Sequence, residues 1–294
     1  MIGVFDSGHG GLTVLSALAQ RFPDQNFIYL GDHANAPYGN RPADEVIDLT
    51  RDAVVELFGL GCRLVILACN TATAVACRRL QHDWLPTAGW DGHNVLGIVA
   101  PTVEAATQMP WAQQTPIYPQ KYNRDVIVLF GTRRTIASGV YSEEIRKRCP
   151  LMEVIGQPCP SLVDAIEGHE TALQLEERIQ GYVNAALDQL AGRSPDTVIL
   201  GCTHYPLVQP IFEHFLPRST RLLAQPEAVA HSLEDYLVRR PQFCGPKADD
   251  GEAQTRLLTT GAPAAVASSL GAALEELMPC GAHFVHHPIG GQGS

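Results

Sequence analysis

The sequence predicts an α/β protein made of two pseudo-symmetric parallel-sheet domains with an active site in the cleft between them. Three observations carry that prediction. Short apolar runs alternate with amphipathic helical stretches, the signature of parallel βαβ units. A proline-rich, aperiodic break at residues 109–123 is followed by a restart of the same alternation. Two strings, VILACNTATAV from Val65 and VILGCTHYPLV from Val198, agree at five of eleven positions, which points to a degenerate duplication.

Taken in order, strand IGVF precedes a helix at 12–21, NFIYLG one at 43–60, RLVILA one at 71–84 and NVLGIV one at 103–109. The 43–60 helix shows the local logic. Pro42 suits a helix start, Val46, Ile47, Val54, Leu57 and Phe58 recur at helical spacing, and Gly59 and Gly61 favour its end. After the break come strand DVIVLF, helix 133–148, strand MEVIG, helix 171–191, strand TVILG and helix 207–216. Beyond Arg221 the pattern turns helical at 227–240. A loop at 241–251, strand RLLTTG, helix 264–277 and a short strand AHFVHH follow, with GGQGS expected to fray.

With 294 residues, 45% of them hydrophobic and 18% charged, the chain suits about two soluble globular domains. The net charge of −10 and the short Arg133-Arg134 and Arg146-Lys147-Arg148 runs argue against a nucleic-acid groove. No apolar run approaches a membrane span, and the opening MIGVFDSG lacks an export leader. Eight cysteines without a Cys-x-x-Cys pair speak against a disulfide framework or a structural zinc knot, and fit a reducing cytoplasm.

In parallel sheets, ligands collect beyond the carboxyl ends of the strands. Asp6-Ser7, Cys69-Asn70-Thr71, Thr132 and Cys202-Thr203-His204 are all predicted there. A free cysteine is most often a small buried apolar residue. Two of them at matching strand-to-helix turns suit another task, inversion at carbon, in which one thiolate removes a proton and a thiol delivers another to the opposite face. Helix N-termini and nearby donors favour the thiolate, and donors aimed at a substrate carboxylate stabilise the charge that grows on it.

The neighbouring residues admit two readings each. Asp6 is a turn and helix cap, or a carboxylate that holds an ammonium group and assists a thiol. DSGHGG lacks the phosphate-loop spacing. His204 is a satisfied interior histidine, or an acid-base partner two residues from Cys202. Glu167 reads first as a solvated helix face. Pro37, Tyr38 and Gly39 read first as a turn, and secondly as a source of backbone donors and a phenol for a ligand.

Together FDSGHGGLTVL, PYG, ACNTATA, GTRRT, CPSLVDAIE and GCTHYPL resemble the glutamate racemase family within the aspartate/glutamate racemases, in order along nearly the whole chain. The resemblance implies cofactor-independent, two-base interconversion of L- and D-glutamate, with D-glutamate supplied to peptidoglycan. It implies that Cys69 removes the α-proton from the D-enantiomer and Cys202 from the L-enantiomer, assisted by Asp6, Glu167 and His204. Substrate would be held by Ser7, Pro37, Tyr38, Gly39, Asn70, Thr71, Thr132 and Thr203. The resemblance also implies a first domain of residues 1–98 with 226–294, a second of 99–225, and a homodimer in many members.

The chain departs from the family pattern at Ala100-Pro101-Thr102, Ala224-Gln225, His33 and Asn35. These positions spare the catalytic set and touch the hinge and the pocket surroundings. Three alternatives stand beside glutamate racemisation: a racemase for aspartate or another amino acid, a catalytically weak paralogue that binds DNA gyrase, and a Cys/His metal site. The last is disfavoured because Cys202 and His204 lack zinc-motif spacing and a metal would occupy the thiolates.

Overall fold

The computed structural model describes residues 1–113, 115–120, 125–168, 170–245, 254–270, 277 and 282–290. Two sheets form, and every strand pairing in them is parallel. The larger contains β1 (Ile2–Asp6), β2 (Phe27–Gly31), β3 (Leu64–Leu67), β4 (Asn94–Gly97), β9 (Thr255–Thr259) and β10 (Phe284–His286), in the order β10-β9-β2-β1-β3-β4. The smaller contains β5 (Val126–Gly131), β6 (Glu153–Pro158), β7 (Thr197–Gly201) and β8 (Arg221–Leu223), in the order β6-β5-β7-β8.

Each sheet is covered on both faces, which is why its strands read as continuous apolar runs. Successive side chains point to opposite faces. Ile2, Val4, Phe27, Tyr29, Leu64 and Ile66 therefore pack toward helices α1 (Leu12–Arg21) and α10 (Gln225–Arg239). Phe5, Ile28, Leu30, Val65 and Leu67 meet Val46, Val54 and Leu57 of α2 (Ala43–Gly59). The smaller sheet repeats the scheme. Val126, Val128 and Phe130 face α8 (Ala172–Asp188), while Ile127 and Leu129 face α4 (Val99–Thr107) and α6 (Val140–Arg148).

Most predicted elements fall within a residue or two of those observed; the exceptions have local causes. The expected helix 133–148 breaks into α5 (Arg133–Ser138) and α6 because Gly139 takes a left-handed turn, φ 68°. The expected helix 71–84 starts as α3 (Asn70–Ala72) and widens into π turns at Thr73–Cys77 and Leu80–Trp84. There the Thr73 hydroxyl donates to Leu67 O at 2.8 Å. The helix predicted at 103–109 begins earlier, at Val99. The one predicted at 207–216 opens as a 3₁₀ turn, Tyr205–Val208, before α9 (Gln209–Phe215). Strand β8 is an addition to the predicted elements. At three residues it is too short to show alternation.

The Pro/Gly loop expected at 241–251, the helix expected at 264–277 (observed as α11, Pro263–Leu270), the break at 109–123 and the terminal GGQGS lie partly outside the described residues. The Arg146-Lys147-Arg148 run is absorbed by the fold. Arg148 is fully buried with Nη1 2.9 Å from Glu144 Oε2, and Lys147 pairs with Glu143 and Glu144. No described helix is long and apolar enough to cross a membrane.

Candidate active site

β1 and β3 are neighbours in the larger sheet, β5 and β7 in the smaller, and the residues just past their carboxyl ends converge on one cleft. Ser7, Pro37, Tyr38, Gly39, Cys69, Asn70 and Thr71 line it from one lobe, and Thr132, Cys202, Thr203 and His204 from the other. All eight expected substrate-binding residues, both cysteines and His204 are therefore brought together. Asp6 and Glu167 stand directly behind this lining: Asp6 accepts from the Thr203 hydroxyl at 3.1 Å, and Glu167 Oε1 lies 2.7 Å from His204 Nε2. Arg133, Cys159, Ser161 and Asp164 also line the cleft. They were not singled out from sequence, since nothing in their spacing distinguishes them from ordinary helix-start residues.

Cys69 ends the β3 run and caps α3, its sulfur accepting from Ala72 N–H at 3.4 Å and donating to Ser7 Oγ at 3.5 Å. Burial and then the Asp6 charge push its thiol up to about 12, against the opposing pull of Ser7 and the Ala72 N–H. Asp6 is itself raised, by complete burial. His204, the Gly8 N–H at 2.8 Å and Thr203 work the other way.

Cys202 has a different companion. Its sulfur lies 3.9 Å from His204 Nδ1, and the other nitrogen of that ring meets Glu167. Burial disfavours the imidazolium, but the hydrogen bonds and charges of Cys202 and Glu167 outweigh it and lift His204 to about 10. Burial likewise pushes Glu167 up, and His204, His9 and His33 overcome it, leaving the carboxyl below its usual range. Glu167, at the end of α7 (Leu162–Glu167), is thus the partner of a buried histidine rather than a solvated helix face.

Two glycines set how closely the lobes approach. A β-carbon on Gly10 would fall 2.5 Å from His204 Nδ1 and 2.6 Å from Thr203 Oγ1, and one on Gly39 would fall 2.8 Å from Thr132 Cβ. The glycine-rich DSGHGG turn is therefore a close-contact surface against the opposite cysteine turn.

Two side chains of the lining have protein partners for their polar groups. The Tyr38 phenol donates to Asp32 Oδ2 at 2.6 Å, so it is committed to the protein, and only its ring and backbone line the cleft. The Asn70 amide is also taken: Nδ2 donates to Gln225 Oε1 at 2.7 Å, and Oδ1 accepts from Tyr141 OH at 2.6 Å and from Gln225 Nε2 at 3.1 Å. Gln225 Nε2 also lies 2.8 Å from Thr102 Oγ1. This buried network joins α3, α4, α6 and α10, and it contains two of the positions flagged as departures. Ser7, Thr71, Thr132 and Thr203 bring hydroxyls to the cleft, that of Thr203 donating to Asp6. Thr71 and Thr132 touch across the lobes at 3.0 Å.

Residues 12–231 fit the Asp/Glu/Hydantoin racemase family. The chain belongs to that family. It is 48% identical over 269 residues to the glutamate racemase of Phenylobacterium zucineum, covering 90% of this chain and 93% of the relative. It is 43% identical over 288 residues to that of Paracoccus denitrificans, covering 98% and 97%. The solved glutamate racemase isoform RacE1 from Bacillus anthracis shares the fold with a TM-score of 0.78 at 27% identity, over 98% of this chain and 97% of that one.

Within this Asp/Glu racemase framework, the flagged residues act as structural supports. Asn35 Nδ2 bonds Asp32 at 3.1 Å, and His33 Nδ1 lies 2.8 Å from Thr259 Oγ1.

Proposed function

We propose that the protein is a glutamate racemase that works by two bases, Cys69 and Cys202, supplying D-glutamate for peptidoglycan in the cytoplasm. The observation that carries this reading is the pair of buried thiols delivered to one cleft from matching strand ends of two different sheets. One thiolate takes the α-proton of D-glutamate and becomes a thiol. The electron pair left behind delocalises into the substrate carboxylate, and the thiol opposite protonates the α-carbon on its other face, becoming the thiolate that starts the reverse reaction. Each inversion exchanges the roles of the two sulfurs, and the chemistry draws on no cofactor.

The remaining residues supply orientation and charge. The Ser7, Thr71 and Thr132 hydroxyls face the substrate carboxylates, and Thr203, its hydroxyl given to Asp6, contributes its place in the cleft lining. The charge of Asp6, behind the lining, draws the ammonium group toward the Cys69 side, and the positive charge of that group favours the Cys69 thiolate against burial. His204, held by Glu167, does the same for Cys202. Closure of residues 1–98 with 226–294 onto 99–225 would exclude water from the cleft.

Incubation in deuterium oxide under reducing conditions, without added pyridoxal phosphate or metal, tests the reading. Both enantiomers of glutamate should gain α-deuterium and invert. No exchange from either enantiomer would overturn it, and faster exchange of aspartate or another amino acid in a parallel panel would reassign the substrate.

A further inference from the structure

On the side of His204 away from the Cys202 sulfur, His9, His204 and Glu167 bring three ligand-type atoms within 4.8 Å of one another. Glu167 Oε1 lies 2.7 Å from His204 Nε2 and 3.7 Å from His9 Nε2. Ligands placed tetrahedrally around zinc at about 2.1 Å stand about 3.4 Å apart, a spacing that the two observed distances bracket. Two imidazoles with one carboxylate form the donor set of an open zinc site, and imidazole nitrogens select against magnesium and calcium. His9 and His204 are buried, while the Glu167 side chain is 28% exposed and gives an ion a route from solvent.

The His33 ring stacks on His9 with centroids 5.9 Å apart. Its Nδ1 is held by Thr259, and its Nε2 is buried without a hydrogen-bond partner among the described residues. His9 also meets the edge of the His204 ring, with centroids 5.1 Å apart. His9 comes from the turn after β1, whereas Glu167 and His204 follow α7 and β7 of the smaller sheet's lobe. The three donors therefore meet only when the two lobes are together.

We infer that His9, Glu167 and His204 form a Zn²⁺ site that bridges the lobes and holds the protein in an inhibited state. The ion would take the His204 nitrogen and the Glu167 oxygen that now bond each other. His204 would then no longer be held by Glu167 as the cation that favours the Cys202 thiolate, and the lobes would be pinned across the cleft. Neither the sequence separation of the three residues nor any cysteine motif signals this site. The inhibitory half rests on the proposed racemase reading; binding does not.

The test uses the full chain, stripped with a chelator. Zn²⁺ is titrated against a chromophoric chelator, and Co²⁺ then serves as a spectroscopic substitute. One ion per chain should bind, with a tetrahedral Co²⁺ spectrum free of a sulfur charge-transfer band. His9→Asn and Glu167→Gln should each weaken binding at least about tenfold, while Cys69→Ser and Cys202→Ser should leave it intact. The site is overturned if both His9→Asn and Glu167→Gln bind as wild type, if the Co²⁺ spectrum carries a thiolate band, or if no stoichiometric ion binds. Deuterium exchange measured with and without Zn²⁺ addresses inhibition separately: bound ion with undiminished exchange would remove the inhibitory role. Absence of exchange without Zn²⁺ would count against the racemase reading and leave the binding result standing.

Discussion

The two cysteine turns share a VIL-x-Cys string and a place just past a parallel strand, yet the groups that manage their protons differ. Around Cys69, burial and a buried carboxylate oppose the thiolate more than a hydroxyl and a helix N–H favour it. Cys202 faces an imidazole held as a cation by Glu167. The duplicated backbone thus delivers two sulfurs to equivalent places, while the non-duplicated neighbours assign them unequal electrostatics. Substrate charge matters more on the Cys69 side, and protein charge on the Cys202 side.

The largest test removes either sulfur. Cys69→Ser and Cys202→Ser should each lower racemisation by about 10³-fold or more with the fold retained, because a hydroxyl is too weak an acid to stand in for a thiol. Chiral chromatography of the product, with circular dichroism for folding, reads both effects. Near wild-type turnover in either variant would break the pair.

His204→Asn comes next, with an expected loss of about 10²-fold. Because mirror-image substrates have an equilibrium constant of one, kcat/KM must fall equally in both directions. The asymmetry between the turns should show instead in the α-deuterium isotope effect. If Cys202 takes the proton of L-glutamate, as the family resemblance implies, that effect should grow for L-glutamate and stay nearly constant for D-glutamate. Equal growth for both enantiomers would mean that His204 serves both sulfurs.

A smaller effect, on stability, is expected from Gln225→Leu. The change takes the acceptor from the buried Asn70 Nδ2, while Thr102 keeps its bond to Ile98 O and Asn70 Oδ1 keeps Tyr141 OH, at a cost of about 2 kcal/mol. Urea denaturation measures it, and an unchanged midpoint would show that the hinge network carries no net stability.

The mildest test is the pH dependence of melting. An ordinary imidazole titrates near 6.5, and folding raises His204 to about 10. Between those values the folded state binds more protons than the unfolded chain, so the His204 contribution is complete below about 6.5 and is lost as pH rises through about 10. The melting temperature of wild type minus that of His204→Asn should therefore shrink across this window. A constant difference would place the imidazolium elsewhere.

Much of this arrangement was legible in the sequence, for a local reason. A buried parallel strand is a continuous apolar run, its end is marked by the first polar residues, and those residues must line a crevice at the sheet's carboxyl edge. That logic places Asp6, Ser7, Cys69, Thr132 and Cys202 from spacing alone, and the internal likeness of the two strings makes the cysteines a pair. The cluster around His204 and the hinge network were not legible in this way. His9 lies on a glycine turn and Glu167 at a helix end, and Gln225 meets Asn70 across 155 positions of sequence.

The sequence by itself determined the strands, their polar ends and the two thiols, because apolar period and turn chemistry act over a few neighbouring residues. Only the tertiary structure decided what each sulfur faces, that Tyr38 and Asn70 spend their polar groups on the protein, and that His9 joins Glu167 and His204. Hydrogen-bond partners and local charge depend on which elements meet when the two sheets close on one another, and no periodicity along the chain records that.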